Sequence, residues 1–155
     1  MLKYFNYDIV FQEIPNEVTL AVNFSLCPNH CEGCHSPWLW QDRGEEFDLQ
    51  TLDNLIRTYH SNFTCFAFMG GDNDPEAVNK MAEYIKENYE NIKTAWYSGK
   101  DEISDKIEIK NFDYIKIGSY KKEFGSLKDK TTNQILWKIN GDLSKEDITY
   151  LFQKR

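Results

Sequence analysis

Cys27, Cys31 and Cys34 stand within eight consecutive positions, and three thiolates in so tight a loop suit three irons of a cubane. Ordinary electron-transfer clusters take four cysteine ligands. A loop that offers three leaves one iron of a [4Fe–4S] cluster with an exchangeable position, open to redox chemistry on a bound molecule. Gly33 lets the backbone turn between the last two thiolates, and Pro28 restricts the start of the loop. Spacing alone leaves a second chemistry open: a Cys₃His zinc site with His30 or His35 as fourth ligand, in a zinc-stabilised, non-catalytic binding module. Structural zinc usually staples a module too small to fold alone, and a chain of 155 residues has no such need. Cys65 lies in an apolar, Phe-rich stretch and reads as a buried structural thiol.

A second chemistry-bearing feature is Gly70-Gly71-Asp72. Paired glycines let a ligand approach main-chain N–H and C=O groups without side-chain obstruction, and Asp72 offers an acceptor suited to an ammonium. The same triplet also serves as an ordinary strand-ending turn.

The elements around these residues alternate between strand and helix. Residues 18–25 are rich in strand formers and lead into the cysteine loop. Asp48 caps a predicted helix with Leu49, Leu52, Leu55, Ile56 and Tyr59 at helical spacing. Residues 64–69 read as a buried strand that stops at Gly70. Asp74-Pro75 opens a second helix with Val78, Met81, Ala82, Ile85 and Tyr89 along one stripe. Residues 93–98 and 114–117 are further strands with a weak helix between them, 133–139 is the expected last strand, and 144–147 resembles the cap of a short C-terminal helix. This order predicts a single α/β domain over residues 1–155, with a mainly parallel open sheet and flanking helices. Ligands of such sheets collect at the C-terminal strand ends, so the cysteine loop and Gly70-Gly71-Asp72 are expected on one edge.

Composition narrows the class. A net charge of -7 supplies no cationic excess for displacing phosphate counterions, so no nucleic-acid partner is expected. No apolar run approaches the roughly 18 residues of a membrane span, and the first residues lack the apolar core and cleavage site of a signal peptide. The expected location is the cytoplasm. Three of the four cysteines crowd together in a compartment read as reducing, which favours metal ligation over disulfides.

A three-cysteine CxxxCxxC loop after an early strand resembles the radical S-adenosylmethionine (SAM) superfamily. Within it the chain is similar to the activating proteins of anaerobic ribonucleoside-triphosphate reductase, which are small glycyl-radical activases. The resemblance includes Tyr7-Asp8-Ile9-Val10, Gly33 before the third cysteine, Gly70-Gly71-Asp72, Trp96-Tyr97-Ser98-Gly99, Ile115-Lys116-Ile117-Gly118 and Thr132-Asn133-Gln134. It implies a radical-SAM-type partial (βα) barrel, a [4Fe–4S] cluster on Cys27, Cys31 and Cys34, and SAM held against Gly33, Cys34, His35, Gly70, Gly71 and Asp72. It also implies an electron from a reduced flavodoxin- or ferredoxin-type donor, a 5′-deoxyadenosyl radical, and hydrogen abstraction from a glycine of the partner reductase. Another glycyl-radical enzyme or a small molecule is the alternative target. His35 reads as an adenine contact or a solvent-facing loop residue, and Trp38 and Trp40 as a water shield or as packing. Two departures stand out. Residues 11–16 replace a frequent Gly-Pro-Gly turn, and Met69 stands where serine is frequent.

Overall fold

The computed structural model describes residues 2–25 and 44–153. Its strands are β1 (Lys3–Val10), β2 (Thr19–Phe24), β3 (Glu45–Glu46), β4 (Cys65–Met69), β5 (Lys93–Tyr97), β6 (Tyr114–Ile117), β7 (Ile135–Ile139) and β8 (Lys145–Asp147). Two helices, α1 (Leu49–Tyr59) and α2 (Pro75–Asn88), occur among the described residues. The strands form one eight-stranded sheet in the order β3-β1-β2-β4-β5-β6-β7-β8.

The mainly parallel sheet expected from the element order is corrected to a mixed one. Parallel pairing joins β2, β4, β5 and β6, whereas β3, β1, β7 and β8 attach antiparallel. Parallel neighbours need a crossover: α1 lies between β2 and β4, and α2 between β4 and β5. No pairing joins β3 to β8 among the described residues, so the sheet is open.

Both helices begin where their caps predict. The Asp48 carboxylate accepts the Thr51 N–H at 2.9 Å, and that of Asp74 accepts the Ala77 N–H at 3.2 Å, with Pro75 in the first turn. Each cap satisfies a donor that has no intrahelical partner. Leu52, Leu55 and Ile56 of α1 and Val78, Met81, Ala82 and Ile85 of α2 are buried against Leu20, Val22, Phe24, Phe66, Phe68, Trp96 and Ile115 of the sheet. Two stripe residues depart from expectation. Leu49, at the first position of α1, is exposed, and Tyr89 caps α2 and reaches back to α1, its hydroxyl donating to Asp53 Oδ1 at 2.5 Å.

Alternation along the strands sends Cys65, Ala67, Ala95, Tyr114 and Leu136 to the opposite face, under Ile14 and Ile148. Cys65 is fully buried there, and burial, followed by the negative charges of Glu17 and Asp113, pushes its thiol well above the usual range. It is a structural thiol, as its apolar surroundings in the sequence suggest.

Three further corrections concern the ends and the connections. Residues 144–147 do not start a helix; Lys145–Asp147 is β8, paired with β7, so β7 is not the last strand. The Ser144 hydroxyl serves a turn, donating to Asp142 Oδ1 at 2.6 Å. Lys145 instead places its ammonium 5.2 Å from the Trp137 ring centroid, a cation–π contact that only the strand pairing allows. The weak helix between β5 and β6 is a single 3₁₀ turn, Ile109–Asn111, and the chain's last turn, Thr149–Phe152, is 3₁₀ as well. β1 is a full strand that the sequence reading did not assign. It is broken by a register shift between Tyr4 and Asn6, which disturbs the period-two pattern by which strands are recognised.

Candidate cluster and ligand site at the strand ends

The parallel register aligns Asn23 of β2, Met69 of β4 and Tyr97 of β5, and pairs Tyr97 with Lys116 of β6. The C-terminal ends of these parallel strands therefore lie on one edge of the sheet. Ser25 stands there, buried, its N–H donating to the Lys3 carbonyl at 2.9 Å. It lies two positions before Cys27. The predicted ligands Cys27, Cys31 and Cys34, with Gly33, His30, His35, Trp38 and Trp40, lie outside the described residues. Among the described residues no group of three or more His, Cys, Asp or Glu is arranged to hold a metal.

Gly70 and Gly71 turn the chain at the end of β4 with φ of +106° and +92°, a region that side chains with a Cβ rarely enter. Their surroundings differ. A Cβ on Gly70 would meet nothing closer than 3.6 Å, whereas one on Gly71 would stand 2.7 Å from Val78 Cγ2 of α2. Gly71 is thus a packing glycine, and Gly70 is the one that leaves its backbone approachable. The Gly70 carbonyl accepts the Trp96 indole N–H at 2.8 Å, and its own N–H donates to the Tyr97 carbonyl at 3.0 Å.

Asp72 ties this turn to the next one. Its Oδ1 accepts the Ser98 hydroxyl at 2.6 Å and its Oδ2 the Gly99 N–H at 2.8 Å. Carboxylate acceptors of this kind make short, strong bonds and hold the ends of β4 and β5 together. Ser98 is 1% exposed, and on its other side lies a residue that sequence reasoning treated only as part of a strand. The ammonium of Lys116, a side chain at 8% exposure, donates to the carbonyls of Ser98 at 3.3 Å and Gly118 at 3.0 Å, and stands 5.8 Å from the Tyr97 ring centroid. Lysines are almost never this buried without compensation, because an ammonium loses its hydration. The available signal was a lysine between Ile115 and Ile117 in an otherwise apolar strand.

The rim continues to β7. Gln134 Nε2 donates to the Gly118 carbonyl at 3.4 Å and Asn133 Nδ2 to that of Ser119 at 3.0 Å. Gln134 also lines a surface cavity of about 360 Å³ with Lys130, Thr132, Thr149 and Tyr150, apart from the Gly70 turn.

The face of the sheet away from α1 and α2 carries further polar contacts. The Tyr97 hydroxyl donates to the Glu13 carbonyl. The Glu17 carboxylate accepts from the hydroxyls of Thr64 at 2.7 Å and Tyr114 at 2.9 Å, and pairs with Lys93 at 3.3 Å. Burial, then the carboxylate of Glu13, raises the Tyr97 phenol well above its usual value, and burial, then the bond to Glu17, raises that of Tyr114. Both phenols stay neutral.

The comparison with protein families bears on this edge. A family model, the 4Fe-4S single cluster domain, matches residues 17–133. The match runs from Glu17, two residues before β2, through the cysteine loop and the Gly70 turn, to Asn133. The chain belongs to this family. It is a 4Fe–4S domain of radical SAM type, a kind typical of radical SAM activases. The family replaces the zinc module that spacing had left open with an iron–sulfur domain. Neither a search of curated proteins nor one of solved structures found a match. No helix among the described residues is long and apolar enough to cross a membrane.

Asp72, after β4, and Lys116, in β6, lie on either side of the Ser98 turn that follows β5.

Proposed function

We propose that this 4Fe–4S domain is a radical SAM activase that installs a glycyl radical on an anaerobic ribonucleoside-triphosphate reductase. The observation that carries the reading is the family match over residues 17–133, laid on a chain in which β2, the strand before the cysteine loop in sequence, pairs in parallel with β4, the strand before Gly70-Gly71-Asp72. Cys27, Cys31 and Cys34 would hold the [4Fe–4S] cluster. Gly33, Cys34, His35, Gly70, Gly71 and Asp72 would hold SAM. When bound, the cluster and SAM supply a one-electron reductive cleavage that generates the hydrogen-abstracting radical; the protein supplies ligation, orientation and exclusion of water. The partial (βα) barrel and a flavodoxin- or ferredoxin-type donor belong to this reading, as does a cytoplasmic location.

The chain's own residues have clear tasks in it. Gly70 leaves room beside a carbonyl that keeps one acceptor position beyond the Trp96 bond, and Asp72 offers an acceptor to the amino group while bracing the turn on Ser98 and Gly99.

The test is anaerobic reconstitution with iron and sulfide, reduction, and assay of SAM cleavage to methionine and 5′-deoxyadenosine. Adding the reductase should then yield a glycyl radical visible by electron paramagnetic resonance. Reconstituted, reduced protein that leaves SAM intact defeats the reading. Cleavage without a radical on the reductase moves the target to another glycyl-radical enzyme or a small molecule.

A further inference from the structure

We propose that the basic loop joining β6 to β7, residues 118–134, is the docking surface for a small acidic electron-carrier protein. The inference rests on the proposed function and adds the surface through which its electron enters. Lys121, Lys122, Lys128 and Lys130 stand in this loop against Glu123 and Asp129, in a chain whose net charge is -7. All four lysines are exposed, and none pairs with a carboxylate among the described residues. Phe124, between them in sequence, is 42% exposed, and Lys121 Nζ stands 5.9 Å from its ring centroid. An exposed aromatic flanked by cations suits a partner of opposite charge: the ring supplies an anchor and the lysines steer the encounter.

Hydrogen bonds hold the loop in shape. The Phe124 and Gly125 N–H groups donate to the Lys121 carbonyl at 3.0 and 2.9 Å, and the Thr131 hydroxyl donates to the Phe124 carbonyl at 2.7 Å. Gln153 Nε2 donates to the carbonyls of Leu127 at 3.4 Å and Asp129 at 3.2 Å. A surface fixed before binding loses less freedom on docking. The loop leaves and rejoins the sheet at the edge where β2, β4 and β5 end, since Tyr97 pairs with Lys116 and Ile117 with Ile135. β2 precedes the cysteine loop in sequence, and β6 stands three places from it in the sheet, roughly 14 Å at the usual strand spacing. Even a small electron-transfer interface, below about 1,200 Å² in total, covers that distance. An electron crosses packed protein, so its donor need only sit beside the cluster. A glycine that gives up a hydrogen atom must reach the ligand itself, so the loop suits the donor rather than the reductase. The step is a single electron transfer: the donor is oxidised by one electron and the cluster reduced by one, with no bond made or broken.

The experiment titrates an acidic flavodoxin against the anaerobically reconstituted full chain and two charge-reversed variants. One variant combines Lys121→Glu with Lys122→Glu, the other Lys128→Glu with Lys130→Glu. Wild type should bind the flavodoxin more weakly as salt rises, because exposed charges are screened beyond about 8 Å at physiological ionic strength. Each variant should bind it about tenfold more weakly at low salt. SAM cleavage driven by reduced flavodoxin should slow by about the same factor. Cleavage driven by photoreduced 5-deazariboflavin, a small uncharged reductant, should keep the wild-type rate. Unchanged flavodoxin binding in both variants overturns the inference, whether the loop then proves to hold the reductase or an oligonucleotide. Equal slowing with both reductants also overturns it, since that is a structural effect. Wild-type binding that is indifferent to salt overturns it even if both variants fail to fold. Wild type that leaves SAM intact under photoreduction counts against the proposed function instead, and the binding titration still decides the docking surface.

Discussion

Asp72 Oδ1 accepts a 2.6 Å hydrogen bond from the Ser98 hydroxyl, and this contact joins the turns that follow β4 and β5. With the second bond from the Gly99 N–H, it makes Asp72 a brace as well as a candidate ligand residue. Asp72→Asn keeps the shape but turns one carboxylate oxygen into an NH₂ group facing a donor. The variant should lose about 1–3 kcal/mol of stability, the cost of an unmet buried bond, and should also bind SAM more weakly. Thermal denaturation and SAM binding measured on the same sample check both effects.

The paired glycines predict unequal costs. Gly70→Ala meets no atom closer than 3.6 Å and suffers only from its φ of +106°, a penalty of about 1–2 kcal/mol. Gly71→Ala adds a 2.7 Å approach to Val78 Cγ2, and overpacking of this kind costs a further ~1–3 kcal/mol. Combining Gly71→Ala with Val78→Ala should recover part of the second term, so a double-mutant cycle in urea would show a coupling absent between Gly70→Ala and Val78→Ala.

Cysteine replacement separates ligand from core. Cys27→Ala, Cys31→Ala and Cys34→Ala should each abolish the cluster, taking bound iron from about four per chain to a small residue of that. Cys65→Ala should leave iron content and the cluster spectrum unchanged while lowering the melting temperature slightly, since a fully buried thiol is lost from the core. Iron analysis of the four variants distinguishes the roles directly.

Acid stability should depend on the clip between α1 and α2. The Tyr89 hydroxyl holds the Asp53 carboxyl below its ordinary range; burial opposes it, and the Tyr84 hydroxyl and the Arg57 guanidinium add to the lowering. A carboxylate whose folded value is depressed contributes stability above its unfolded value, near 3.9, and loses it as pH falls through the lower folded value. Asp53→Asn should therefore be less stable than wild type at neutral pH, and the gap should close on acidification below about 3.9. A gap that stays constant from neutral to acid pH would refute this assignment.

Much of the frame was readable from local signals. Asp48 and Asp74-Pro75 announced both helices because capping is settled by residues within one turn. The apolar runs that became β2, β4, β5 and β6 were readable because parallel strands buried on both faces carry near-continuous hydrophobic sequence. β8 was misread for the opposite reason. Ser144, Lys145, Glu146 and Asp147 carry a helix-cap pattern, yet the edge of β7 captured the segment through backbone bonds that no local signal encodes. β3 is two glutamates long and likewise owes its state to β1.

The amino-acid sequence by itself determined the chemistry on offer: three closely spaced thiolates, a Gly-Gly-Asp turn, and an apolar home for Cys65. These depend on residue type and short spacing, which the chain carries wherever it folds. Only the tertiary structure decided that Gly71 is bound by Val78 while Gly70 stays approachable, and that Asp72 is braced on Ser98. It also decided that Lys116 buries its charge at the same rim. Those relations join residues far apart in the chain, and they exist because the register of the parallel strands sets their ends side by side.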